Sequence, residues 1–214
     1  MNELVIATRN AHKAVEIRSI LGPGWRCRTL GDFPNTPELV EDADSFGGNA
    51  TKKAVALAAW LASSNPESVE LVLADDSGLE VNALHGAPGV HSARFAAPDI
   101  GATGNSPDAA NNAKLLRLLT GVPAAKRIAR FRCCLALTPV RSKAESQRIE
   151  LFEGICEGRI GFEPHGRNGF GYDPLFVPEG YGLTFAELGE EVKNQISHRS
   201  RALAKLKAWL DHAR

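Results

Sequence analysis

The run Leu71-Val72-Leu73-Ala74, followed without a spacer by Asp75-Asp76-Ser77-Gly78, constrains this chain more than any other segment. Consecutive apolar residues point to both faces of a strand, so such a run needs cover on both sides, as the inner strands of an α/β sheet have. The abrupt change to carboxylates predicts that the strand ends there, at a Gly-permitted turn, the position where open α/β sheets bind ligands. The preceding chain offers the cover. Residues 3–8 read as a strand that breaks at Arg9-Asn10, after which Val15, Ile17, Ile20 and Leu21 recur at helical spacing as far as Gly22-Pro23-Gly24. A second strand is expected at 25–30. Ser45 is placed to cap a helix whose inward face is Phe46, Ala50, Ala54, Leu57 and Leu61.

Beyond the acidic segment, the Gly-, Asn- and Pro-rich stretch 98–107 predicts a surface loop. Ser106-Pro107 reads as the N-cap and first position of a helix carrying Leu115, Leu116, Leu118 and Leu119, closed by Gly121. Two β-leaning runs, 128–138 and 148–157, flank a polar Pro139–Gln147 connection and predict a long antiparallel hairpin. Thr184-x-x-Glu187 has the form of a capping box, and a last helix opened by Ser197 carries Leu203, Leu206 and Leu210 on one face. Early βα units followed by a hairpin predict a mixed-sheet α/β protein. At 214 residues the chain is one domain or two intimately packed lobes rather than a string of modules.

Composition removes several functional classes. Lys and Arg number 25 and Asp and Glu number 25, so the long-range positive field needed for sequence-independent nucleic-acid binding is missing. No apolar run approaches the ~20 residues that cross a bilayer, and Met1 to Thr8 shows no cationic leader. Cys27, Cys133, Cys134 and Cys156 form no C-x-x-C pair. Three of them lie in β-branched or aromatic runs and read as small core hydrophobes; the set implies a reducing compartment and no zinc site, so a cytoplasmic protein is expected.

Five segments look chemical. Thr8-Arg9-Asn10-Ala11-His12-Lys13 brings a hydroxyl, an amide and an ammonium to a helix start whose free N–H groups favour an anion. It also fits a capped helix with a surface lysine, and no P-loop motif occurs in the chain. Lys53 falls within the apolar stripe of its own helix, so its ammonium either snorkels to the rim or meets a buried anion. Asp75-Asp76 offers hard oxygen donors that suit Mg²⁺, with Glu41 able to complete the set, although Asp-Ser-Gly is also an ordinary polar turn. Gly169-Phe170-Gly171-Tyr172-Asp173-Pro174 alternates backbone access with aromatic faces, as a base-stacking site or as a bulged strand entering a turn. Ser197-His198-Arg199, with Lys193 a turn earlier, places cations against the macrodipole of a first helical turn, which calls for an anionic or accepting partner.

Together these segments resemble the inosine triphosphate pyrophosphatase family, the Ham1-like non-canonical purine NTP pyrophosphatases. The matching motifs are Ala7-Thr8-Arg9-Asn10-x-x-Lys13, Ser45-Phe46-x-x-Asn49-Ala50-x-x-Lys53-Ala54, Ala74-Asp75-Asp76-Ser77-Gly78-Leu79 and its continuation Gly86 to Arg94, Gly169 to Phe176, and Lys193-Asn194-x-Ile196-Ser197-His198-Arg199. The resemblance spans nearly the whole chain. It implies an elongated mixed-sheet α/β fold of two lobes around a central cleft, with residues 1–214 as one catalytic domain, in a cytoplasmic homodimer. It implies Mg²⁺-dependent hydrolysis of ITP, dITP and XTP to the monophosphate and pyrophosphate, with neither nucleic acid nor membrane as a partner.

On the matching positions, Thr8, Asn10, Lys13 and Lys53 would hold the triphosphate, and Asp76 would act as general base and share the metal with Glu41. Ser77 would touch substrate, while Phe170, Gly171, Tyr172, Asp173, Lys193, His198 and Arg199 would form the base and sugar pocket. Arg9 stands where many members have a small residue, and Val192 replaces a frequent Glu, so no role passes to Arg9. A triphosphate hydrolase of different base specificity and a non-catalytic nucleotide sensor are the alternatives.

Overall fold

The computed structural model describes residues 2–64, 71–140 and 148–212. Its elements are β1 (Asn2–Ile6), α1 (Ala11–Leu21), β2 (Trp25–Thr29), α2 (Phe46–Ser64), β3 (Leu71–Val81), α3 (Asp108–Leu118), β4 (Ile128–Pro139), β5 (Glu150–Ile160), β6 (Phe176–Pro178), α4 (Phe185–Ile196) and α5 (His198–His212). The strands pair in the order β2-β1-β3-β4-β5-β6. β1 runs parallel to both β2 and β3, while β5 and β6 are antiparallel, so the sheet is mixed, as expected. No described helix is long and apolar enough to cross a membrane.

The chain divides into two compact units: Met1–Asp76, Cys133–Gly154 and Arg201–Arg214 form one, and Ser77–Arg132 with Ile155–Ser200 the other. In the first unit, strand alternation sorts the core into two layers. Leu4, Ile6 and Leu73 pack with Ile17 and Leu21 of α1 and with Leu203, Leu206 and Leu210 of α5. Val5, Val72 and Ala74 pack with Ala50, Ala54, Leu57 and Leu61 of α2. The run 71–74 is therefore apolar on both sides because a helix lies against each. In the second unit Leu79, Val81, Leu115, Phe131, Cys156, Phe176 and Phe185 form the core, with the Phe131 and Phe176 rings 4.7 Å apart.

Helix ends follow the local chemistry. Ser45 Oγ accepts the Gly48 N–H (3.1 Å) at the start of α2, and Ser197 Oγ accepts the Ser200 N–H (3.2 Å) at the start of α5. The capping box of α4 is present: Thr184 Oγ1 accepts the Glu187 N–H, and the Glu187 carboxylate accepts the Thr184 N–H.

Four readings need correction. β3 does not stop at the carboxylates but continues through Asp75-Asp76-Ser77-Gly78 to Val81. Both carboxylates find cationic and hydrogen-bonding partners, which lets a strand carry them through the interior. Val15 and Leu118 are exposed rather than inward, since α1 turns Ala14, Ile17 and Leu21 to the core and α3 turns Leu115. Ser106 does not cap α3: its hydroxyl donates to Asn111 Oδ1 (2.8 Å), and Pro107 holds the cap position. Residues 169–174 form turns rather than a bulged strand, with φ of +76° at Gly169 and +62° at Gly171. The expected loop 98–107 begins with a short 3₁₀ turn, and most of the Pro139–Gln147 connection lies outside the described residues.

Candidate active site

The first unit gathers Thr8, Asn10, Lys13, Glu41, Lys53, Asp75 and Asp76. α1 starts where Asn10 Oδ1 accepts the Lys13 N–H (3.1 Å), and the Asn10 N–H donates to Thr8 Oγ1 (3.1 Å). This capping arrangement fixes Thr8, Asn10 and Lys13 within one turn. The Lys13 ammonium then donates to Asp75 Oδ1 at 2.6 Å.

Lys53 lies on the buried face of α2 and does not snorkel. Its ammonium donates to Glu41 Oε1 (2.5 Å) and to the Asp75 carbonyl (2.8 Å), and it stands 3.7 Å from Asp76 Oδ1. Four residues before it on the same helical face, Asn49 donates from Nδ2 to Asp76 Oδ2 (3.0 Å) and accepts the Ala43 N–H (2.8 Å). Lys52 points elsewhere and pairs with Asp42. Alternation along β3 sends Asp76 to the α2 side, with Val72 and Ala74, and Asp75 to the α1 side, with Leu73.

Burial pushes the Asp76 carboxyl above its usual range. The charges of Lys53 and Lys13 oppose the rise, Glu41 reinforces it, and the Asn49 hydrogen bond opposes it. A carboxylate raised in this way is a better proton acceptor than an exposed one. Glu41 and Asp76 address one ammonium from two directions, so their oxygens already converge on a place that suits a cation. Among the described residues no group of three or more His, Cys, Asp or Glu side chains assembles a metal cage. Two carboxylates fit Mg²⁺, which keeps several waters and is usually held by one or two carboxylates together with substrate phosphates.

The second unit gathers Ser77, Phe170, Gly171, Tyr172, Asp173, Lys193, His198 and Arg199. Buried Lys193 donates to Asp173 Oδ2 (2.5 Å) and lies 4.5 Å from the Phe170 ring centroid, a cation–π contact. Asp173 Oδ2 also accepts the Phe170 N–H (2.9 Å). At Gly169 a Cβ would collide with that carboxylate, and its positive φ disfavours any other residue. The Arg199 guanidinium, fully buried, donates to Ser77 Oγ (2.9 Å), which supplies the accepting partner expected at the start of α5. His198 stacks on Phe131, with ring centroids 4.8 Å apart.

Tyr172 belongs to the core of this unit. Its hydroxyl donates to the Ser92 carbonyl (2.9 Å), and burial pushes its pKa up. α3 supplies two residues that the sequence did not single out. Asp108 Oδ2 accepts the Gly171 N–H (2.6 Å) and Asn112 Nδ2 donates to the Gly171 carbonyl (3.0 Å), so one helical turn grips both ends of that residue. The i, i+4 spacing of Asp108 and Asn112 puts both on one face of α3, but no local pattern links that face to Gly171. Cys133 is the other omission: its thiol donates to Asp75 Oδ2 (3.2 Å), and nothing in its sequence surroundings marks it.

A family model described as the Ham1 family matches residues 4–209. A dITP/XTP pyrophosphatase of Shouchella clausii is 47% identical over 212 residues, covering 99% of this chain and 98% of that protein. A dITP/XTP pyrophosphatase of Desulforamulus reducens is 50% identical over 204 residues, covering 95% of this chain and 92% of that protein. Among solved structures, a HAM1 protein from Coxiella burnetii superimposes with a TM-score of 0.80 at 35% identity, covering 99% of this chain and 100% of that one.

Proposed function

The chain belongs to the Ham1 family, and from that premise we propose that it hydrolyses dITP, ITP and XTP to the nucleoside monophosphate and pyrophosphate. The observation that carries the reading is the convergence of Lys53 on Glu41 and Asp76. A hard-cation place, a raised carboxylate and two amines are the parts that water attack on a polyphosphate requires.

Lys13 and Lys53, with the α1 start built by Thr8 and Asn10, neutralise and orient the phosphate oxygens. Glu41 and Asp76 would hold Mg²⁺, which when bound withdraws charge from the phosphates and makes water more acidic. Asp76 takes the proton from the attacking water, a role suited to a carboxyl whose pKa burial has raised. Asn49 keeps Asp76 in one rotamer by holding Oδ2. In the second unit, Phe170 offers a stacking face, with Gly171, Asp173 and His198 shaping the pocket around it. Lys193 and Arg199 supply donors to a 6-oxo purine, and Ser77 contacts substrate beside Asp76. Tyr172 contributes through its backbone and its anchored ring.

We read residues 1–214 as one catalytic domain, because β3, β4 and β5 each contribute residues to both units. The family resemblance further supports a homodimer, and four free cysteines fit a reducing, cytoplasmic setting. The test is a panel of ITP, dITP, XTP, GTP, ATP and pyrimidine triphosphates, assayed with and without Mg²⁺, scoring pyrophosphate against single phosphate. Mg²⁺-dependent pyrophosphate release favouring the 6-oxo purines ITP, dITP and XTP is expected. Equal turnover of ATP would overturn the specificity, and tight ITP binding without turnover would favour a sensor.

A further inference from the structure

Asp75 has the least exposed carboxylate of the polar cluster, its side chain fully shielded, and both its oxygens are engaged: Oδ1 by the Lys13 ammonium at 2.6 Å and Oδ2 by the Cys133 thiol at 3.2 Å. Its main-chain carbonyl accepts from Lys53 at 2.8 Å. One residue of β3 therefore touches both amines assigned to the phosphates, one through its side chain and one through its backbone. The alternation that turns Asp76 toward α2 turns Asp75 toward α1, and Cys133 reaches the same face from β4 together with Leu135 and Leu137. A shielded carboxylate needs hydrogen bonds to both oxygens as well as an opposite charge, and the thiol supplies the bond that the lysine leaves open.

We propose that Asp75 is a positioning residue that holds the Lys13 ammonium where phosphate charge develops, and that Cys133 sets the Asp75 rotamer. The inference rests on the reading that Lys13 binds the polyphosphate, and it separates the two adjacent aspartates by task. Asp76 meets water, and Asp75 aims an amine. Holding a cation in advance matters most in the transition state, where reorientation would otherwise cost rate. Substrate binding depends less on it, since a loosened Lys13 still carries its charge.

The test is a double-mutant cycle on dITP hydrolysis with Asp75→Asn and Lys13→Met. Asp75→Asn is expected to lower kcat about 30-fold or more while the Kd for inorganic tripolyphosphate, measured by calorimetry, stays within about threefold or tightens. In the Lys13→Met background the same substitution should change kcat less than about threefold. Equal losses in both backgrounds would overturn the proposal, because Asp75 would then act without Lys13. Cys133→Ala should lower kcat severalfold and Cys133→Ser should restore it, and this pair stands if Asp75→Asn does not fold. An independent arm reads Lys13 itself: mass spectrometry after limited acetylation should show Lys13 several times more reactive in Asp75→Asn than in wild type. Unchanged reactivity would sink the pairing even if the wild type proved inactive on dITP, whereas an inactive wild type with increased reactivity would refute only the pyrophosphatase reading.

Discussion

The Lys53 ammonium stands 3.7 Å from Asp76 Oδ1 although the two residues come from different elements, the buried face of α2 and the middle of β3. Lys53 is nearly inaccessible, so its charge is compensated inside the protein, by Glu41 as well as Asp76. An ammonium so placed faces little competition from water for a phosphate oxygen, and its electrostatic effect there exceeds that of a surface lysine.

Lys53→Met should therefore lower kcat for dITP by about 10²- to 10³-fold, the scale seen when a single donor to a developing oxyanion is lost. Lys52→Met is the matched control. Lys52 pairs with Asp42 on the exposed side of the same helix, so its loss should leave kcat and KM within about twofold. Steady-state kinetics on the two purified variants makes the comparison, and similar losses in both would show that α2 is merely perturbed.

Asp76→Asn should abolish turnover while nucleotide still binds, and it should also make the metal-free protein more stable. The sign follows from the raised Asp76 pKa. Between the unfolded carboxyl value near 3.8 and the higher folded value, the native state binds more protons than the unfolded chain, so stability falls as pH rises through that window. Above the window the full cost of the buried charge remains, and asparagine does not carry it. With a chelator present, the Tm difference between Asp76→Asn and wild type should be small below pH 4 and positive at neutral pH. Thermal melts across that range check it.

The extent to which the chain announced this arrangement differs from segment to segment. Periodicity placed α2 correctly because Phe46, Ala50, Ala54, Leu57 and Leu61 share one face, and the Thr184–Glu187 box marked a helix start whose partners are three residues apart. Local patterns of this kind report local structure. The end of β3 was misplaced because two aspartates and a glycine resemble a turn unless the compensating Lys13, Asn49 and Lys53 are known to arrive from elsewhere. Lys53 stood out as a charge on an apolar stripe, but whether it was buried depended on Glu41 and β3. The thiol bond of Cys133 and the grip of Asp108 and Asn112 escaped notice for the same reason. Each of these side chains acts through a bond to a residue at least 58 positions away, and no spacing rule reaches that far.

The grip of α3 on Gly171 should govern base selection without touching phosphate chemistry. Asp108 and Asn112 hold the N–H and the carbonyl of a residue with positive φ, and so fix the turn that presents Phe170. Asp108→Ala and Asn112→Ala should each raise KM for dITP by about five- to tenfold, the loss of about one hydrogen bond. Binding of inorganic tripolyphosphate should be unchanged. Calorimetry with both ligands decides the matter, and a parallel loss of tripolyphosphate binding would mean that the helix serves general folding instead.

Arg199 carries the sharpest expectation about specificity. Its guanidinium is fully buried and donates to Ser77 Oγ through one nitrogen, which fixes the orientation of the planar group. A fixed donor reads a 6-oxo acceptor and is left facing another donor when the base carries a 6-amino group, a mismatch that rejects by up to ~10⁴-fold in sites built for it. Arg199→Ala should therefore collapse the ITP-to-ATP ratio of kcat/KM by at least about tenfold. Arg199→Lys keeps the charge but loses the fork, and should restore only part of the ratio. Ser77→Ala removes the anchor alone, so it should erode the ratio less than Arg199→Ala while Tm changes little. If Arg199→Ala folds, hydrolyses ITP and keeps the wild-type ratio, discrimination resides in Lys193 and the Phe170 turn rather than in the arginine.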